Sequence, residues 1–325
     1  MDYIDLLKGI TILWIIWIHT YHPDFGGYRN PIFFFASGIF FKLDNFKSFF
    51  IKRTKTIIIP FFSFYLISLP FHILVHLWDF HSLNEFDWYM VFDIFKIDKF
   101  NYLRLNAPLW FLLSLFWIQT MSTVLFHLPK IIIVVLSLTA ICFKNQLLDW
   151  PSMFMFNNAL YWFSFFGIGF VIGKPLIRLL TTRKAQIWCF ICFLSLILLC
   201  VGFETSGVYG YSGLLIEHIK YLSFILTFIA FLSFFNKIKS IQILKFFGKN
   251  SLIVLGTHMW FILPFERLNL KLTGMHHQWI GLGIATATAI ALIPVINILN
   301  RKVPYLVGKQ NHSPQTTRPS LCKEY

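Results

Sequence analysis

Ten apolar stretches separated by polar intervals divide the chain, at roughly 4–22, 31–41, 56–78, 107–127, 131–143, 158–173, 185–203, 214–236, 250–265 and 278–299. Most approach the ~20 residues that cross the hydrocarbon of a bilayer as a helix. Only helices and closed barrels satisfy their own backbone hydrogen bonds in that setting. The pattern therefore predicts an all-α, polytopic membrane bundle of about ten transmembrane helices. The second and fifth stretches are short, as expected of tilted, re-entrant or shielded segments.

The polar intervals give the bundle an orientation. With a cytoplasmic N-terminus, the inner intervals and tail hold Lys42, Lys47, Lys52, Arg53, Lys55, Lys130, Lys174, Arg178, Arg183, Lys184, Lys237, Lys239, Lys245, Lys249, Arg301, Lys302, Lys309, Arg318 and Lys323. With Lys8 these make twenty of the 28 Lys and Arg, which follows the positive-inside rule. An even number of spans puts both termini in the cytoplasm. Residues 1–303 are expected to form the membrane domain, and 304–325, with NHSPQTTRPS, a disordered cytoplasmic tail.

Composition agrees: 57% of residues are hydrophobic, 13% are charged and 40 are Phe, whereas a soluble domain carries about a quarter charged residues. The net charge of +14 is spread over many intervals, so no nucleic-acid partner is expected. Asp2 precedes the first stretch, Asp5 stands at its start and no small-residue cleavage site follows it, so the stretch is expected to remain as an anchor. Cys189 and Cys192 have redox spacing but an apolar setting, and membrane packing is the expectation for them.

Chemistry is concentrated in a few places. Lys8 and His19 stand eleven residues apart in the first stretch. As helix, eleven steps of about 100° return them to nearly one face, roughly 16 Å apart. An intramembrane cation and imidazole are costly and point to function, although a snorkelling Lys and an interfacial His fit the same positions. Lys52, Arg53 and Lys55 form a basic cluster whose alternative reading is topology alone. Ser37 in FFFASG offers a hydroxyl or a packing site, Asn106 and Trp110 flank an entrance or a belt, and His258 offers an imidazole or a helix-to-helix hydrogen bond. The interval 79–106 mixes Asp79, Glu85, Asp87, Asp93, Asp98 and Arg104 with Trp88, Tyr89 and Tyr102; this suits either a carbohydrate or an interfacial aromatic belt. His22, Glu217 and His218 fall on the expected outer side. No Gly-rich phosphate loop, no G-x-S-x-G elbow and no metal-ligand constellation is present.

The order Lys8-x10-His19, Asn30-Pro31 through Phe41-Lys42, Phe50 through Phe61, Ala107-Pro108-Leu109-Trp110-Phe111 and Phe247-Gly248-Lys249-Asn250-Ser251-Leu252 before His258 resembles the family-3 membrane acyltransferases, particularly the fucose 4-O-acetylase-like branch. The resemblance runs from Asp5 to about Leu299. The family's hallmark is Arg, ten residues and His; Lys8 replaces the Arg, keeping the charge without the bidentate fork. The resemblance implies transfer of an acyl group, commonly acetyl, from cytoplasmic acetyl-CoA to a hydroxyl of an envelope glycan or lipid-linked sugar in a bacterial plasma (inner) membrane, with no metal. Lys8, Lys52, Arg53 and Lys55 then serve the donor phosphates, and Ser37, Asn106, Trp110 and His258 the substrate side. His19 is the catalytic residue, as general base or as a transient acyl carrier. The competing reading is a transporter or flippase of an envelope glycolipid.

Overall fold

Every one of the ten apolar stretches coils into helix in the computed structural model, which describes residues 2–20, 27–97, 103–205, 210–235, 241–275 and 277–309. The order is α1 (Asp2–Ile18), α2 (Arg29–Ile39), α3 (Phe46–Arg53), α4 (Ile59–Phe80), α5 (Trp110–Leu125), α6 (Lys130–Cys142), α7 (Lys144–Asp149), α8 (Phe156–Leu179), α9 (Arg183–Thr205), α10 (Tyr211–Ser233), α11 (Gln242–Lys249), α12 (Ser251–Thr257), α13 (Met259–Thr273) and α14 (Gln278–Lys302). No strand occurs among the described residues.

Six of these helical stretches are long and apolar enough to cross a membrane: Phe46–Phe80, Ala107–Leu125, Phe156–Leu179, Arg183–Glu204, Ser212–Ser233 and Gln278–Lys302. The helices α1, α2 and α6, with 17, 11 and 13 residues, fall short of that length. Three boundaries differ from the hydropathy pattern. The third stretch begins at Phe46, ten residues early, because the Asn45 side chain accepts the Lys47 N–H at 3.1 Å and starts a helix through the basic cluster. A π-turn at Thr54–Ile58 joins α3 to α4, so Lys52, Arg53 and Lys55 lie on helix. The ninth stretch breaks at His258 into α12 and α13. Residues 304–309, expected within the tail, pack instead: Pro304–Val307 forms a 3-10 turn, Val307 is buried, and Lys309 Nζ donates to Asn250 Oδ1 at 3.3 Å. Residues 310–325 lie outside the described residues.

The site is positioned by α1, which runs through the interior. Its first half (Tyr3, Ile4, Leu6, Leu7) belongs to one apolar core and its second half (Ile12, Ile15, Ile16) to another. Two close helix crossings hold this arrangement. A Cβ on Gly9 would overlap the Leu244 carbonyl of α11, and one on Gly248 would overlap the Asp5 carbonyl of α1. Likewise a Cβ on Gly38 of α2 would meet the Phe166 carbonyl of α8, and one on Gly169 the Phe35 carbonyl. Small residues allow such backbone contact, and dispersion across it drives helix association where lipid removes the hydrophobic contribution.

Candidate active site

One face of α1 presents Lys8, Ile12, Ile15 and His19, at steps of four, three and four residues, to a cavity of about 230 Å³. His19 stands just past the helix end, and its N–H still bonds the Ile15 carbonyl at 3.3 Å, so it keeps the helical register. The second wall comes from α2, where Arg29, Phe33 and Ser37 repeat every four residues beside Asn30. Pro108, Trp110 and Phe111 close a third side, and Ser251, Leu252 and Leu255 of α12 a fourth.

Aromatic packing fixes these walls. Phe34 stacks on Trp162 with ring centroids 5.3 Å apart, and Trp162 lies 6.1 Å from Trp110. At the start of α2, Tyr28 meets Tyr221 edge-on at 4.9 Å and Phe224 at 4.5 Å. Lys8 Nζ lies over the Phe40 ring at 5.4 Å, a cation–π contact that offsets part of the cation's desolvation. Ser37 faces the cavity while its neighbour Gly38 makes the close crossing with α8.

Asn106 lies behind the cavity. Its Nδ2 donates to Ser68 Oγ and to the Gly256 carbonyl, both at 2.9 Å, and Trp260 Nε1 donates to the same Ser68 Oγ at 2.8 Å. This buried network ties α4, the segment before α5, and α12–α13 together. The preceding loop is fixed by Arg104, which donates to both Asp93 oxygens at 2.9 Å and to Asp87. Burial alone would raise the Asp93 pKa, but hydrogen bonds from Arg104 and Lys96 hold it below the usual carboxylate value. Trp88, Tyr89 and Phe92 on the same loop are exposed, as an interfacial aromatic belt would be. Asp98 and Tyr102 lie outside the described residues.

The structure thus brings Lys8, His19, Ser37 and Trp110 together. The basic cluster is not on the cavity wall: Lys52 and Lys55 are exposed, and the Arg53 guanidinium lies 4.9 Å over Phe49. Glu217 and His218 are satisfied elsewhere. Glu217 accepts from Lys144 Nζ at 3.0 Å and from Tyr221 at 2.8 Å, and His218 pairs with the Tyr161 hydroxyl at 3.0 Å. His22 lies outside the described residues. His258 is fully buried, off the lining, with its ring centroid 5.3 Å from that of His19.

Arg29, Asn30 and Ser251 also line the cavity; in the sequence Asn30 and Ser251 stood out only as parts of motifs, and Arg29 not at all. A signal for Arg29 was present, since two four-residue steps back from Ser37 reach Phe33 and then Arg29. Ser251 stood within the FGKNSL run. There Gly248 makes the α1 crossing, and Asn250 Nδ2 bonds the Phe246 carbonyl at 2.9 Å, which turns α11 into α12 and places Ser251 at the wall.

A family model for an acyltransferase domain matches residues 1–297. The chain belongs to the family 3 acyltransferases. No curated protein and no solved structure matches it. The family and the six apolar helices together make it an integral membrane acyltransferase, and the cavity against α1 is its candidate active site.

Proposed function

We propose that this acyltransferase moves an acetyl group from cytoplasmic acetyl-CoA to a hydroxyl of an envelope glycan or lipid-linked sugar, as in the fucose 4-O-acetylase-like branch. One observation carries the reading: Lys8 and His19 face the same cavity, as a donor phosphate site and a base would along one pantetheine-length path. Ten passes through a bacterial plasma membrane, with both termini inside, fit the distribution of cations. The acyl group and thioester end occupy the cavity, Lys8 offsets negative charge on the donor, and Lys52, Arg53 and Lys55 meet the diphosphate beyond the wall. Ser37 and Trp110 flank the acceptor, and Asn106 and His258 hold the surrounding elements in place.

His19 takes the acceptor hydroxyl proton, the oxygen attacks the thioester carbon, and the C–S bond breaks. The sulfur leaves as thiolate and receives the proton from His19, giving an ester and free CoA. Such a base contributes roughly 10²–10⁴-fold. The test is acetyl transfer by purified protein in lipid nanodiscs, with mass spectrometry of envelope glycans from cells with and without it. His19→Ala should bind acetyl-CoA, seen as thermal stabilisation, and lose transfer. Wild-type protein that acetyl-CoA does not stabilise and that acetylates no glycan would remove the proposal.

A further inference from the structure

His258 is a fully buried imidazole whose two nitrogens have separate surroundings. Its Nδ1 lies 2.8 Å from the Val254 carbonyl. A carbonyl only accepts, so Nδ1 carries the proton and Nε2 keeps its lone pair. That buried Nε2 has no hydrogen-bond partner among the described residues, which is costly for a polar atom in an apolar interior. The backbone around it is held firmly: the His258 N–H also bonds Val254 at 3.0 Å, and its carbonyl accepts from Phe261 and Ile262. The neighbouring imidazole is that of His19, at 5.3 Å between ring centroids and 42° between planes.

We infer that His258 is the positioning residue for His19: its Nε2 accepts the His19 ring N–H in the reacting state. This deepens the function proposed above and rests on it. His19 lies past the end of α1, is only partly buried and lines the cavity, so a side-chain rotation closes the gap; catalytic hydrogen bonds are often loose before substrate binds. The contact holds one nitrogen of His19 as donor and leaves the other facing the cavity with its lone pair. When His19 accepts the hydroxyl proton on that nitrogen, the N–H to His258 strengthens, and no proton moves onto His258. The charged groups lining the cavity with His19 are Lys8 on α1 and Arg29 on α2. A neutral acceptor behind the ring stabilises the imidazolium through the shared, charge-assisted N–H.

The experiment compares His258→Leu with His258→Gln, whose amide oxygen can accept the same N–H. The expected result is a kcat at least about 10²-fold lower in His258→Leu, as for loss of a base's orienting partner, with unchanged acetyl-CoA KM and substantial recovery in His258→Gln. Equal kcat in all three proteins, or equal losses in both variants with intact folding, would overturn the inference. Nitrogen-15 NMR of imidazole-labelled protein, wild type and His19→Ala, supplies a readout that needs no turnover. A His258 proton on Nδ1, with an Nε2 signal that moves in His19→Ala, supports the pairing; a proton on Nε2 overturns it. Absence of transfer in the wild type overturns the proposed function instead, and the NMR result then judges the pairing alone.

Discussion

Gly9 is where the fold and the candidate site are most tightly coupled. A Cβ there would fall 2.7 Å from the Leu244 carbonyl carbon, beyond overlapping its oxygen. Carbon atoms pack best at about 3.5–4.0 Å, so Gly9→Ala must separate α1 from α11 by roughly 1 Å. The obstacle is backbone on both sides, and no rotamer change relieves it. Alanine gains ~0.5–1 kcal/mol over glycine inside a helix, against ~1–3 kcal/mol for overpacking, so a net loss of about 1 kcal/mol is expected. The larger effect is on catalysis. Lys8 adjoins the crossing, and α11 leads directly to Ser251; a 1 Å misplacement of reacting groups can lower turnover by about 10²-fold. Gly283→Ala is the control, because its Cβ on α14 would meet nothing within 4 Å, leaving only the helix gain and full activity. The assay is acetyl transfer together with the thermal transition in nanodiscs. If Gly9→Ala were as stable and as active as Gly283→Ala, the close crossing would not be what sets the site.

Two further outcomes follow from particular contacts. Lys8→Arg should keep the acetyl-CoA KM within a few-fold, whereas Lys8→Ala should raise it roughly 10–100-fold, the value of about 1.5–3 kcal/mol for a hydrogen bond to a charged group; equal KM values would remove Lys8 from the donor site. Asp93 has a lowered native pKa, so the unfolded chain binds more protons and the Asp93 anchor is fully present above the unfolded value of about 3.9. That stability is lost as pH falls through the lower native value, and Asp93→Asn should flatten the fall of the thermal transition between pH 5 and pH 2; an unchanged acid slope would refute the anchor.

The physical character of a single helix was legible along the chain, because burial in lipid demands long apolar runs and the helical repeat relates Lys8 to His19 without a partner. The first run gave one wall of the site, and Ser37 a single residue of the second. What the chain alone left undecided was everything that depends on two elements meeting. Asn106 resembled an entrance residue, but its amide hydrogen bonds belong to Ser68 and Gly256. The basic cluster stands in a polar interval of the sequence, but Asn45 caps a helix that, with the π-turn after it, carries Lys52 and Lys55 exposed and off the cavity wall.

Tertiary structure also decided where the short helices sit. Hydropathy marked ten stretches, yet α1 and α2 are short helices set inside the bundle by glycine contacts that no local propensity records. Those crossings bring Arg29 from α2 and Ser251 from α12 to the face that carries Lys8. They also bring His258, more than two hundred positions away in the chain, to within one ring of His19. Sequence determined which groups were too costly to be incidental in a membrane. Helix packing determined which of them share a cavity, because side-chain chemistry is local and proximity is not.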